Sequence, residues 1–252
     1  MAKKDIDWGN IGFGYIKTDK RYVSNYKNGA WDEGGLTSDD MVTISECACV
    51  LQYAQTVFEG LKAYTTEDGR VVCFRPDLNA ERMMDSARRL EMPAFPKERF
   101  IDAVVQTVKA NVDYVPPYGS GATLYIRPYM FGSDAIIGVK PANEYQFRMF
   151  CTPVGPYFKG GAGKPITIRV RDFDRAAPHG TGHIKAGLNY AMSLHAIVDA
   201  HEKGFAENMY LDAATRTKVE ETGGANFLFV TKDNKVVTPK SNSILPSITR
   251  RS

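Results

Sequence analysis

Cysteine is scarce in this chain. Cys47, Cys49, Cys73 and Cys151 are the only four. They form no C-x-x-C pair and have no histidine pair at zinc spacing, which excludes a zinc finger or ribbon. Four in 252 residues also exclude a disulfide-stapled secreted scaffold, so they read as reduced thiols of a cytoplasmic protein. Charge of one sign is equally lacking. Lys+Arg 32 against Asp+Glu 29 leaves +3, which gives no field to attract nucleic acid or an anionic membrane. No apolar run approaches the ~20 residues of a membrane span. The start, Met1-Ala2-Lys3-Lys4-Asp5-Ile6-Asp7, has no apolar core of a secretion signal. His179 and His183 sit four apart, but the glycines between them disfavour a helix, and no metal is expected. Internal repeats and low-complexity tracts are absent.

What is present is an ordinary globular balance, 43% hydrophobic and 24% charged, enough for a real core in one large or two ordinary domains. Residues 1–40 are polar, Gly-rich and aromatic, with little periodicity. Residues 42–50 read as a strand, which would put Cys47 and Cys49 on one face. Residues 51–63 read as further extended chain, and 70–74 as a short strand. Residues 77–90 repeat apolar side chains at helical spacing through Leu78, Met83, Ala87 and Leu90. A second helix over 100–115 is stopped by Pro116-Pro117. Strands are predicted over 123–130, 145–152, 166–170, 208–212, 217–221, 227–231 and 235–238. A helix over 190–203 ends at Gly204. The stretch 155–165 holds two prolines and four glycines and reads as a linker or mobile loop. The class is α+β, with helices segregated from largely antiparallel strands. The division is an N-terminal domain over 1–154, an interdomain loop over 155–165 and a C-terminal domain over 166–252.

One segment carries chemistry. In Gly180-Thr181-Gly182-His183-Ile184-Lys185-Ala186-Gly187-Leu188-Asn189-Tyr190, Lys185 is the one charged side chain when histidine is counted neutral. Glycines let a backbone approach a ligand closely. Apolar surroundings penalise the ammonium form of a lysine. The neutral amine is a nucleophile that forms a Schiff base with a carbonyl.

Five further blocks accompany it. They are Gln55 to Tyr64 with Phe58-Glu59-Gly60 inside; Phe74-Arg75-Pro76 followed by Asn79 and Arg82; and Tyr125-Ile126-Arg127-Pro128. Val219-Glu220-Glu221 leading to Asn226, and Leu245-Pro246-Ser247-Ile248-Thr249-Arg250, complete the set. In this order the six resemble the branched-chain amino-acid aminotransferases, within the fold-type IV pyridoxal 5'-phosphate enzymes, over nearly the whole chain. The resemblance implies a two-domain α+β fold, with a smaller N-terminal α/β domain and a larger C-terminal pseudo-barrel. It implies reversible ping-pong transamination, in which the amino group of leucine, isoleucine or valine passes to 2-oxoglutarate.

The resemblance also assigns roles. Lys185 would hold the cofactor's aldehyde and later shuttle the proton at the substrate α carbon. Glu221 would pair with the pyridine nitrogen, with its neighbour Glu220 as the rival acid because adjacent strand residues face opposite ways. Arg82 would grip the phosphate with a guanidinium fork, although Arg88 and Arg89 fit a plain helix arginine equally. Ile248 and Thr249, after Pro246 and a Ser247 N-cap, would offer backbone N–H groups to the same anion. Leu245 adjoins the cofactor, and Tyr190 would bond its ring hydroxyl. Tyr125 and Arg127, two apart on a strand, would close one side of the substrate pocket, and Tyr53, Phe58 and Gly60 would line it. The 155–165 loop would cover the site.

Relatives continue well past Ser252, so the family's last phosphate- and substrate-contacting loop is expected to be missing and the C-terminal domain incomplete. A homodimer is implied, with Ile136-Ile137-Gly138-Val139 reaching the partner's site. A D-amino-acid aminotransferase or aminodeoxychorismate lyase is the nearest rival. The long N-terminal region and the Tyr125/Arg127 pair argue against both. A shortened, non-catalytic chain that binds pyridoxal phosphate is the alternative of another class.

Overall fold

In the computed structural model, which describes residues 3–158, 163–170 and 172–252, Asn28-Gly29 reverses the chain between β1 (Arg21–Lys27) and β2 (Ala30–Trp31). Their φ angles of 52° and 81° are those of a two-residue type I′ hairpin, for which Asn-Gly is the favoured pair. Residues 1–40, which show little periodicity, nevertheless hold β1, β2 and β3 (Gly35–Thr37). Turn chemistry held the signal that periodicity missed.

The chain divides into two units, Met1–Ala162 and Gly163–Ser252. After β3 the first unit contains α1 (Cys49–Tyr53), β4 (Thr56–Phe58), β5 (Leu61–Thr65), β6 (Val71–Cys73), α2 (Pro76–Arg89), α3 (Lys97–Ala110), β7 (Thr123–Gly132) and β8 (Tyr145–Val154). An eight-stranded antiparallel sheet runs β2-β1-β8-β7-β5-β6, with β3 on β1 and β4 on β7. The long β7–β8 ladder sorts side chains by face. Ile126 opposes Cys151, Pro128 opposes Met149 and Met130 opposes Phe147, and these are buried. Phe95 stacks on Phe147 at 3.8 Å, and Phe100 of α3 meets the same ring, so α2 and α3 cover this face. α2 starts with Pro76 at its first position and buries Leu78, Met83 and Ala87. The other face carries Tyr125, Arg127 and Tyr129 opposite Thr152, Phe150 and Arg148.

Residues 42–50 are not a strand, and 51–63 are not continuously extended. The first turn of α1 begins at Cys49, and Ala54 ends it in the left-handed region at φ 52°. Long-range bonds decide this: Ala48 bridges Ala135, Cys49 N–H donates to the Asp134 carbonyl, and Ile136 N–H donates to that of Cys47. Cys49 is buried while Cys47 is half-buried, so they do not share a strand face. The second predicted helix occupies Lys97–Ala110, followed by a 3-10 turn over Val112–Tyr114. The loop expected over 155–165 lies partly outside the described residues, at 159–162.

In the second unit β9 (Ile168–Val170) runs parallel to β10 (Glu207–Leu211), joined through α4 (Gly187–Glu202). β11 (Val219–Thr222) adds antiparallel on the far edge, giving the order β11-β10-β9. β12 (Phe229–Val230) and β13 (Val236–Val237) form a small hairpin, and α5 (Ile248–Arg251) follows. Asn208 of β10 donates to the Ala196 carbonyl of α4 at 2.7 Å, fixing helix on strand.

Candidate active site

The segment before α4 is curled and bonded to itself. Asn189, buried in the first turn of α4, accepts from Thr181 Oγ1 at 2.7 Å and donates to the carbonyls of Thr181 at 2.7 Å and Ile184 at 3.0 Å. Gly182 is required by close approach. A Cβ there would strike the Ser243 carbonyl and lie 2.7 Å from Arg175 Nη2. This packing presents Lys185, half-buried, between the buried Ile184 and Ala186. Its Nζ donates to Tyr190 Oη at 2.8 Å, five residues on.

β11 separates the two acids that the sequence left as rivals. Glu220 accepts from the hydroxyls of Ser241 and Ser243. Glu221, 3% exposed, forms an ion pair with Arg175 at 2.8 Å and accepts from Asn226 Nδ2 at 2.6 Å and Leu245 N–H at 3.0 Å. Burial pushes the Glu221 carboxyl above the ordinary value, against the pull of Arg175, Leu245 and Asn226. Arg175 also holds the Gly182 carbonyl at 2.8 Å, so one guanidinium ties the Lys185 segment to the acid. Among the described residues, two buried polar atoms beside this acid, Arg175 Nε and Asn226 Oδ1, have no hydrogen-bond partner. A nucleophilic amine, a phenol and a buried, hydrogen-bonded acid in one unit are the donor set that an aldehyde-bearing pyridine cofactor needs. Ile248 and Thr249 form the first turn of α5, capped by Ser247 Oγ, which accepts from Arg250 N–H at 3.1 Å.

In the first unit the structure gathers Tyr125, Arg127, Phe58 and Gly60. Arg127 Nη2 donates to Tyr125 Oη at 3.0 Å, and its guanidinium lies 4.7 Å over the Phe58 ring. Gly60 sits directly against Tyr125, where a Cβ would be 3.0 Å from Cζ and closer still to the hydroxyl. Tyr53 is placed apart, on α1, with its hydroxyl donating to the Ile137 carbonyl.

Arg82 has an unexpected partner. Its Nε and Nη2 donate to the two oxygens of Glu59 at 2.7 and 2.8 Å. Glu59 is fully buried and also accepts from Asn79 Nδ2 at 2.7 Å. The Phe-Glu-Gly block and the Asn79/Arg82 block therefore meet at one carboxylate. Reading by motif missed Glu59, Arg175 and Asn226 as site residues. Glu59 and Asn226 stood inside the quoted blocks, whereas Arg175 gave no local signal.

Comparison with known proteins places these residues in context. A family model for class IV amino-transferases matches residues 56–252. The branched-chain-amino-acid aminotransferase of Haemophilus influenzae is 54% identical over 254 residues, covering 99% of this chain and 74% of that protein. Among solved structures, the Escherichia coli branched-chain amino acid aminotransferase superposes with a TM-score of 0.77 at 29% identity, covering 93% of this chain and 72% of that one. The T.th. branched-chain amino acid aminotransferase, complexed with N-(5'-phosphopyridoxyl)-L-glutamate, gives 0.73 at 26%, covering 94% and 72%.

Proposed function

The chain belongs to the class IV aminotransferases, as a branched-chain-amino-acid aminotransferase, and from that premise we propose that it uses pyridoxal 5'-phosphate to pass the amino group of leucine, isoleucine or valine to 2-oxoglutarate. The observation that carries this reading is the Lys185–Tyr190 pair in the same unit as the buried, Arg175-bonded Glu221. When bound, the cofactor supplies an aldehyde that exchanges with amines and a ring that withdraws electrons. With the cofactor bound, Lys185 Nζ would hold its aldehyde and would serve as the base that moves the proton at the substrate α carbon. Tyr190 Oη holds Nζ in place and orients the ring hydroxyl. Glu221, its carboxylate held by Arg175, Asn226 and the Leu245 N–H, would pair with the ring nitrogen and keep it protonated. Arg82, Ile248 and Thr249 would hold the phosphate, and Leu245, whose N–H bonds Glu221, would contact the cofactor. Arg127 and Tyr125 would bind substrate carboxylate, and Phe58 and Gly60 would shape the space for the side chain. A homodimer is part of the reading. So is a cytoplasmic location, which suits a chain with four scattered cysteines and no disulfide framework in its sequence.

The test is to incubate the chain with pyridoxal phosphate, reduce with borohydride and map the modified peptide by mass spectrometry. Leucine-dependent glutamate formation is measured alongside. A pyridoxyl adduct confined to Lys185, and turnover abolished by Lys185→Ala, are expected. Adducts spread over surface lysines, or turnover that survives the substitution, would sink the reading.

A further inference from the structure

A cavity of about 300 Å³ opens in the first unit, lined by Tyr15, Arg21, Asp40, Tyr129, Arg148 and Phe150. Its floor is the sheet face opposite α2 and α3. There β7 and β8 put Tyr129 across from Arg148, and β1 puts Val23 on Arg148's other side. The two guanidiniums are the unusual feature, because Arg21 is 3% and Arg148 8% exposed. Both bond neutral acceptors. Arg21 donates to the carbonyls of Ser38 at 2.8 Å and Thr18 at 3.3 Å. Arg148 donates to the carbonyls of Met41 at 3.1 Å and Asp39 at 3.3 Å, and to Gln146 Oε1 at 3.4 Å.

Among the described residues neither guanidinium has an ion pair. Asp40, the one carboxylate lining the cavity, is bonded to Lys17 at 2.8 Å and is also held down by the Arg21 charge, so a single carboxylate faces several cations. Buried charges are ordinarily paired, and two like charges lining one space repel. The carbonyls of residues 38–41 need hydrogen-bond donors, but they do not need two positive charges. A carboxylate in the cavity would supply the counter-charge, and guanidinium forks match its geometry. The remaining wall is aromatic: Phe150 meets Tyr15 at 5.8 Å and Tyr129 at 6.0 Å, both edge to face. Burial pushes the Tyr129 hydroxyl above its ordinary value, so it stays a hydrogen-bond donor at neutral pH.

We propose that this cavity is a second, non-catalytic site for a monocarboxylate with a short apolar tail and no ammonium group. Its volume stands at the small end of ligand pockets, about 300–1,000 Å³, which suits a short tail against the rings. An α-ammonium group would face two guanidiniums, so a 2-oxo acid or simple carboxylate is accepted and an amino acid refused. None of the residues assigned to transamination takes part, so the site stands or falls independently of that reading.

The experiment is isothermal titration of 3-methylbutanoate, and separately of L-leucine, into the full chain loaded with pyridoxal phosphate and reduced with borohydride. Phe150→Trp fills the cavity without removing a guanidinium hydrogen bond. Arg148→Met removes one charge. Wild type is expected to bind one more equivalent of 3-methylbutanoate than Phe150→Trp, whatever happens at Lys185. Arg148→Met should weaken that equivalent at least tenfold, and L-leucine should leave it unoccupied. Equal stoichiometry in wild type and Phe150→Trp would overturn the proposal. So would full affinity in Arg148→Met, or inorganic sulfate competing as well as 3-methylbutanoate. If the melting temperature shows that Phe150→Trp does not fold, Tyr15→Trp at the exposed rim serves as the blocking variant, with the same outcomes.

Discussion

Arg82 shows how a residue is legible by type and illegible by partner. Its place in the Asn79/Arg82 block marked it as a candidate anion ligand, but nothing local pairs it with Glu59, 23 positions earlier. That pairing forms because β5 and α2 bring two blocks to one buried carboxylate. Removing one partner of a buried pair leaves an uncompensated charge. Arg82→Met should therefore cost about 3–5 kcal/mol of stability, read from urea midpoints. The double variant Glu59→Gln/Arg82→Met should recover part of this loss, because no unpaired charge remains. A single-variant cost under about 1 kcal/mol would mean that the pair contributes little to the fold. The choice between Glu220 and Glu221 followed the same logic. Adjacent strand positions guaranteed opposite faces, but only the fold put Arg175 on one side and Ser241 with Ser243 on the other.

Among the elements, α2, α3, β7 and β8 were legible because each carries a long periodic stripe that one partner surface buries. The short α1 was not, because five residues have no period to read and long-range bonds to Asp134 and Ala135 decide its shape. α4 was legible as a helix, though its tie to the sheet was not. Asp199 in its last turns bonds Lys203 four residues on, and also Arg169 on β9. The Lys203 bond, with Arg169 behind it, holds the Asp199 carboxyl down at about 2. Because the folded value lies below the unfolded one, near 3.9, this contribution is complete above that value and is lost as pH falls through about 2. The melting temperature of Asp199→Asn should therefore lie below wild type at neutral pH, and the gap should close between about pH 4 and pH 2. A gap that stayed constant over that range would show that the carboxylate charge is not the cause.

At the scale of the whole molecule, Ile137 and Val139 stand 76% and 86% exposed on the first unit, next to the Tyr53 hydroxyl's bond to the Ile137 carbonyl. In the proposed homodimer this stretch is covered by the partner. Val139→Asp should then raise the dimer dissociation constant at least about tenfold, or about 1.4 kcal/mol, by sedimentation. It should also make specific activity depend on protein concentration. An unchanged sedimentation profile would remove 136–139 from the interface. The sequence by itself determined the family and the long periodic elements, and it singled out Lys185 as the candidate anchor. Each of these rests on short motifs and local spacing that neighbouring residues impose on one another. Only the tertiary structure decided which acid faces Arg175, that Arg82 is clamped by Glu59, and that Arg21 and Arg148 share one cavity. Those are meetings between residues far apart in the chain. Buried charges settle them by finding partners after the sheets and helices have set the distances.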